Sequence, residues 1–253
     1  MKKCITFFLV LILTLSLAAC SEEAVLDESK VYNTVSDIHS LQIQISAADF
    51  VIKEADHFSV ESNLKYLTVS EDDGVLKILE EVKIGVTYTD AKLTLYVPAG
   101  TVFESASITT GAAKLTAGTL SAKTLKLQLG AGDVSIDSLN AALEADIEGG
   151  AGKITIAGGT LNDLELEMGV GELNLSAALL GDSDLTLGVG ASNLTLIGSR
   201  DDYKIEIEKG LGSITVDGES VSDFGTSGNG QYNVEIKGGV GAINLNFLEG
   251  EIR

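Results

Sequence analysis

The stretch Leu164-Glu165-Leu166-Glu167-Met168-Gly169-Val170-Gly171-Glu172-Leu173-Asn174-Leu175 decides the fold. On both sides of the glycine pair, apolar and polar residues alternate with period two. A strand with one buried and one wet face reads this way. Glycine at the pair permits the positive φ that a sharp corner needs. The chain repeats the unit at Gly130-Ala131-Gly132, Gly150-Ala151-Gly152, Gly188-Val189-Gly190, Gly210-Leu211-Gly212 and Gly239-Val240-Gly241, with a degenerate copy at Gly111-Ala112-Ala113. Successive first glycines are 19, 20, 19, 19, 22 and 29 residues apart. A Gly- and Ser-rich insertion over Ser220–Gln231 lengthens the last step.

One such unit cannot bury its own apolar row, whereas stacked units can. Three sides of about five residues, each roughly 17 Å long, plus corners use up one repeat. The expectation is an all-β chain forming a single-stranded β-helix, or β-solenoid, with coils of about 20 residues. The alternative is a β-sandwich built from hairpins, which strict recurrence of one unit disfavours. A nucleotide-binding loop is excluded, because its glycines precede a helix and these precede strands.

Outward from the repeats, residues 37–100 are less regular. Ser46-Ala47-Ala48-Asp49 between Ile43/Ile45 and Phe50/Ile52 imitates a corner with small residues, and Asp72-Asp73-Gly74 reads as a hairpin turn. The expected organisation is a leader at 1–20, a flexible tether at 21–36, an irregular β cap at 37–100 and the repeat solenoid at 101–253. Phe247 and Leu248 are placed to plug the far end.

The leader reads as a lipoprotein signal peptide. Lys2 and Lys3 precede an apolar run from Ile5 to Ala19 that ends in Leu17-Ala18-Ala19-Cys20. The run is short for a membrane span and sits at a small-residue site. Leu17-Ala18-Ala19-Cys20 resembles the lipobox of bacterial lipoproteins, in which a diacylglyceryl group joins the cysteine sulfur. Cys4 leaves with the leader and Cys20 carries lipid, so the remainder holds no disulfide.

Without Lys2 and Lys3, 15 of the 17 basic residues face 37 acidic ones, a formal charge of −22. This argues against a nucleic-acid partner and favours cationic ones. With no Trp, an aromatic sugar platform is disfavoured.

Together the lipobox, the strand-rich start, Leu95-Tyr96-Val97-Pro98 and the serial Gly-x-Gly units resemble the DUF4097 family of β-strand-repeat proteins over residues 37–248. Members carry the label of candidate adhesins. The resemblance implies an envelope protein and supplies no catalytic residues. For some domains of this kind it implies a place in envelope-stress systems that respond to cationic peptides.

Outward positions align by distance from the first glycine. Four residues before it stand Lys126, Asp146, Glu165, Asp184, Glu206 and Glu235; two before it stand Gln128, Glu148, Glu167, Thr186, Glu208 and Lys237. In stacked coils these make an acidic face, at about 1 kcal/mol of repulsion per adjacent pair before screening. The candidate binding residues are Asp146, Glu148, Glu165, Glu167, Asp184, Glu206, Glu208 and Glu235. Five residues after the glycine, Ser135, Thr155, Asn174, Asn193, Thr215 and Asn244 suit a structural hydrogen-bonded ladder. His39 and His57 are lone histidines in the irregular region. No nucleophile elbow, zinc pattern or paired catalytic carboxylate appears.

The function expected is a lipid-anchored, non-enzymatic adhesive or structural module on the extracytoplasmic face of the cell membrane. Its partners would be the membrane, through the anchor, and a cationic peptide or basic envelope protein. No cofactor is expected beyond the lipid on Cys20, and no metal. The alternative is an envelope-stress sensor or decoy that binds cationic peptides through the acidic face.

Overall fold

A computed structural model describes residues 22–23, 26–35, 37–81, 86–87, 89–221 and 225–250. The expected leader, with Cys20, lies outside them. The described elements are strands, apart from one 3-10 turn at Arg200–Asp202 capped by Ser199.

The repeats form coils that stack in parallel with glycine opposite glycine. Gly152 faces Gly171, Gly171 faces Gly190, and Gly190 faces Gly241. The period-two pattern predicts which side chains turn inward. Leu125, Leu127, Leu164, Leu166, Leu185, Ile205 and Ile236 are all buried, and they join one continuous core. Parallel, in-register pairing of successive repeats does not arise from consecutive hairpins, which pair antiparallel. The β-sandwich alternative is therefore set aside, and the chain is a β-solenoid.

The corner explains why the second glycine of each pair recurs. At Gly190 φ is +145°, a region that disfavours side chains, and a Cβ there would run into the carbonyl oxygen of Gly171 on the coil below. Each coil thus demands glycine of the next.

The stacking order departs from sequence order at the end. Strand Tyr232–Leu248, which carries the Gly239 corner, pairs with Asp182–Ile197 on one side. On its other side it pairs with Tyr203–Glu208 and Leu211–Val216. The last repeat is thus inserted between the Gly188 and Gly210 coils. This corrects the reading of Phe247 and Leu248 as an end plug. Phe247 packs on Tyr203 with ring centroids 6.2 Å apart, and Leu248 is exposed. The outermost coil is the Gly210 one. The insertion beyond it supplies short strands Glu219–Val221 and Thr226–Ser227, which pair antiparallel along its open edge. Covered edges resist pairing with other chains.

At the other end, Ser40–Ile45 and Asp49–Ala55 form a coil on the Gly111 unit, and the Ala112 amide donates to Ser46 O at 2.6 Å. Val75–Glu80 and Lys92–Pro98 stack beyond it in parallel. Leu67–Asp72 and Ser59–Ser62 pair antiparallel with those strands and close the stack. The Asp73-Gly74 turn has positive φ at both residues, 47° and 71°, as a two-residue type I′ hairpin requires. Within the segment read as a tether, Lys30–Asn33 is a strand paired with Ser59–Ser62, and Leu26 packs against the core. The tether's C-terminal part is sheet, because its backbone pairs with the open edge of the cap strand Ser59–Ser62.

Candidate functional site

Two features share the flank that precedes the glycine corners. The first is a pair of polar rows. In stacking order the outer row runs Asp146, Glu165, Asp184, Glu235, Glu206, and the inner row runs Glu148, Glu167, Thr186, Lys237, Glu208. All eight acidic candidates therefore lie on consecutive rungs of one face. Their order differs from sequence order, because Glu235 stands between Asp184 and Glu206.

Lysines interrupt this face at two places. Lys126 bonds Asp146 and lies 3.6 Å from Glu148, and the Asp146 hydrogen bond holds its ammonium above the usual lysine range. Lys237 lies 2.8 Å from Glu235; that bond raises the lysine and lowers the carboxyl. No described lysine or arginine forms an ion pair with Glu165, Glu167, Asp184, Glu206 or Glu208. These five are exposed.

The second feature is the corner itself. The middle residues of four Gly-x-Gly units stand opposite one another in the order Val170, Val189, Val240, Leu211. They are 55%, 50%, 48% and 75% exposed, so an apolar ridge crosses four rungs. Glycine on both sides leaves these side chains protruding. The ridge was within reach of the sequence, since the middle position is apolar in every repeat, but its exposure required the corner geometry. A shallow groove lined by Gln128, Glu148, Glu167 and Thr186 runs between the inner row and the corner glycines.

Beyond the corner, the polar ladder is a directed chain. Thr215 Oγ1 donates to Asn244, Asn244 Nδ2 to Asn193, Asn193 Nδ2 to Asn174, and Asn174 Nδ2 to the Glu172 carboxylate, each at 2.8 Å. The Asn174 hydrogen bond, and then Lys153 at 3.1 Å, hold the Glu172 carboxyl below its ordinary range. Each of these three amides donates and accepts, so the part of the ladder from Thr215 to Asn174 is a structural element; the chain ends on Glu172 and does not reach Thr155 or Ser135.

A sequence model of the Toastrack DUF4097 family matches residues 38–246. The chain belongs to the Toastrack DUF4097 family. Solved structures similar to this Toastrack chain include a candidate adhesin from Bacteroides fragilis, at 13% identity and TM-score 0.49, covering 86% of this chain and 95% of that one. A candidate adhesin from Parabacteroides distasonis matches at 17% identity and TM-score 0.44, covering 90% and 100%. A candidate cell adhesion protein from Clostridium sporogenes matches at 14% identity and TM-score 0.37, covering 87% and 99%. No curated protein matches the chain. In this Toastrack chain His39 lies at the cap, its Nδ1 3.2 Å from Ser40 Oγ, away from the acidic flank. Among the described residues, no group of three or more His, Cys, Asp or Glu side chains is placed to hold a metal ion.

Proposed function

We propose that this Toastrack protein is a lipid-anchored, non-catalytic module of the cell envelope. A diacylglyceryl group on Cys20 would hold it at the extracytoplasmic face of the membrane, and the solenoid flank would serve adhesive or structural contacts. The observation that carries this reading is the motif Leu17-Ala18-Ala19-Cys20, set after an apolar leader and ahead of the solenoid. Two or three acyl chains give stable anchoring where one does not. In cells fed labelled palmitate, the wild-type chain is expected to carry label and to partition into detergent. Cys20→Ser is expected to accumulate as unlabelled, full-length precursor. An unlabelled wild type, or label retained by Cys20→Ser, sinks the reading.

A second reading is favoured by the five exposed carboxylates that lack an ion-pair partner. Here the acidic flank binds a cationic peptide or a basic envelope protein. Binding of this kind weakens steeply with salt. It is tested by neutralising Glu165, Glu167, Glu206 and Glu208 together, which is expected to abolish it.

A further inference from the structure

The ridge of Val170, Val189, Val240 and Leu211 calls for an explanation that single exposed valines do not. Scattered apolar residues are ordinary on a protein surface, whereas contiguous ones mark contact sites. Here four stand in line on adjacent rungs, all about half or more exposed. We infer that this ridge, with the carboxylates beside it, is a docking surface for a basic amphipathic helix of a partner protein. The inference rests on the acidic-flank reading and adds to it the shape and apolar content of the partner.

Charge settles which side of the helix is basic. Five residues before each ridge residue stands a carboxylate, Glu165, Asp184, Glu235 or Glu206 in stacking order. On the ridge's other side the last three rungs carry small uncharged residues, Ala191, Ala242 and Ser213. A complementary partner therefore presents an apolar stripe bordered along one edge by lysine or arginine.

Periodicity selects a helix. Rungs repeat every 4.8 Å or so, and an α-helix rises about 5.4 Å per turn. Over three intervals the two drift apart by roughly 2 Å, which flexible basic side chains span. A strand laid along the same axis repeats its outward residues every 6.8 Å or so and drifts by roughly 6 Å over the same three intervals, more than a whole rung. Apolar residues at i, i+3 or i+4 and i+7 would thus meet successive ridge residues, as amphipathic helices meet apolar grooves. A second copy of this chain is disfavoured, because each copy carries a formal charge of −20 and the two repel. An anionic lipid surface is disfavoured by the same repulsion.

The test uses the lipidated chain from Cys20 onward in nanodiscs of zwitterionic lipid, with empty nanodiscs as baseline. The probe is a synthetic leucine–lysine helix of about 18 residues, compared with a scrambled peptide of equal composition and charge. The amphipathic helix is expected to bind the wild-type chain about tenfold or more tightly than the scrambled one. The ridge variant V170T/V189T/V240T/L211T keeps β-compatible side chains, and it is expected to lose that preference while melting like wild type. Equal binding of both peptides to wild type overturns the ridge inference. If that binding is still lost on E165Q/E167Q/E206Q/E208Q, the acidic-flank reading stands alone. Binding of neither peptide removes both. The peptide comparison needs only wild-type protein, so it holds even if the ridge variant folds poorly.

Discussion

Tyr203 is the residue on which the end of the solenoid turns. It is fully buried, its hydroxyl donates to Ile197 O at 2.6 Å, and it accepts from the Leu179 amide at 3.4 Å. Its ring packs against Tyr232 and Phe247, with centroids 5.9 and 6.2 Å away. Burial pushes its hydroxyl pKa up from 10.0 to about 12. The folded pKa lies above the unfolded one, so the neutral phenol favours the fold. That contribution is complete below pH 10 and is lost as pH rises through about 12. Tyr203→Phe is expected to cost on the order of 1–2 kcal/mol at neutral pH, because Ile197 O loses its donor. It should also flatten the loss of stability between pH 10 and 12. Urea unfolding of both proteins across that range checks this; an alkaline decline as steep in the variant as in wild type removes the assignment. The sequence shows Tyr203 only as the start of another alternating strand. Its aromatic neighbours come from Tyr232–Leu248, so the cluster is invisible until the coil order is known.

Coil order belongs to the scale of elements, and there the sequence is half sufficient. Alternation on both sides of each glycine pair reveals the strands, the corners and the inward residues, because burial of one face imposes that pattern. It does not rank two repeats that share it: the Gly210 and Gly239 units offer the same glycines and the same apolar rows to the Gly188 coil. What distinguishes them is small. The Gly239 unit carries Asn244 where the Gly210 unit carries Thr215. With the Gly239 unit inside, Asn174, Asn193 and Asn244 run unbroken, and Thr215, a single hydroxyl donor, ends the chain of bonds. The serial order would put the hydroxyl in the middle and interrupt an amide ladder whose neighbouring bonds reinforce one another. Cysteine pairs separate the two orders, since directly opposed residues in neighbouring strands lie within disulfide reach. N193C/N244C is expected to oxidise to an intramolecular disulfide, and N193C/T215C to stay reduced, each in a Cys4→Ser/Cys20→Ser background. Rapid closure of the second pair would restore the serial order. The same dependence on order scrambles the acidic face. Which carboxylates share it follows from the sequence, as does the Glu235–Lys237 pair two residues apart on one strand, whereas their neighbours across rungs do not.

At the scale of the whole molecule, stability and surface charge pull against each other. The chain carries a formal charge of −20 with no described disulfide, and its strands stack carboxylates on adjacent rungs. Continuous apolar burial and in-register backbone pairing hold the coils together; neither depends much on salt. Like-charge repulsion along the flank opposes them and is screened by salt. The ion pairs Lys126–Asp146 and Lys237–Glu235 act in the other direction, but exposed pairs contribute little each. The balance predicts a protein that salt stabilises. Raising sodium chloride to about 1 M, where the Debye length falls to about 3 Å, is expected to raise Tm by a few degrees. E165Q/E206Q should start with a higher Tm and gain less from salt, because part of the repulsion is already gone. Calorimetric melts of both proteins at low and high salt make the comparison. A Tm that falls with salt, or a variant that gains as much as wild type, would mean that attraction to the lysines outweighs repulsion along the rows. In that event the flank would be electrostatically satisfied within the molecule and would have little charge to offer a basic partner.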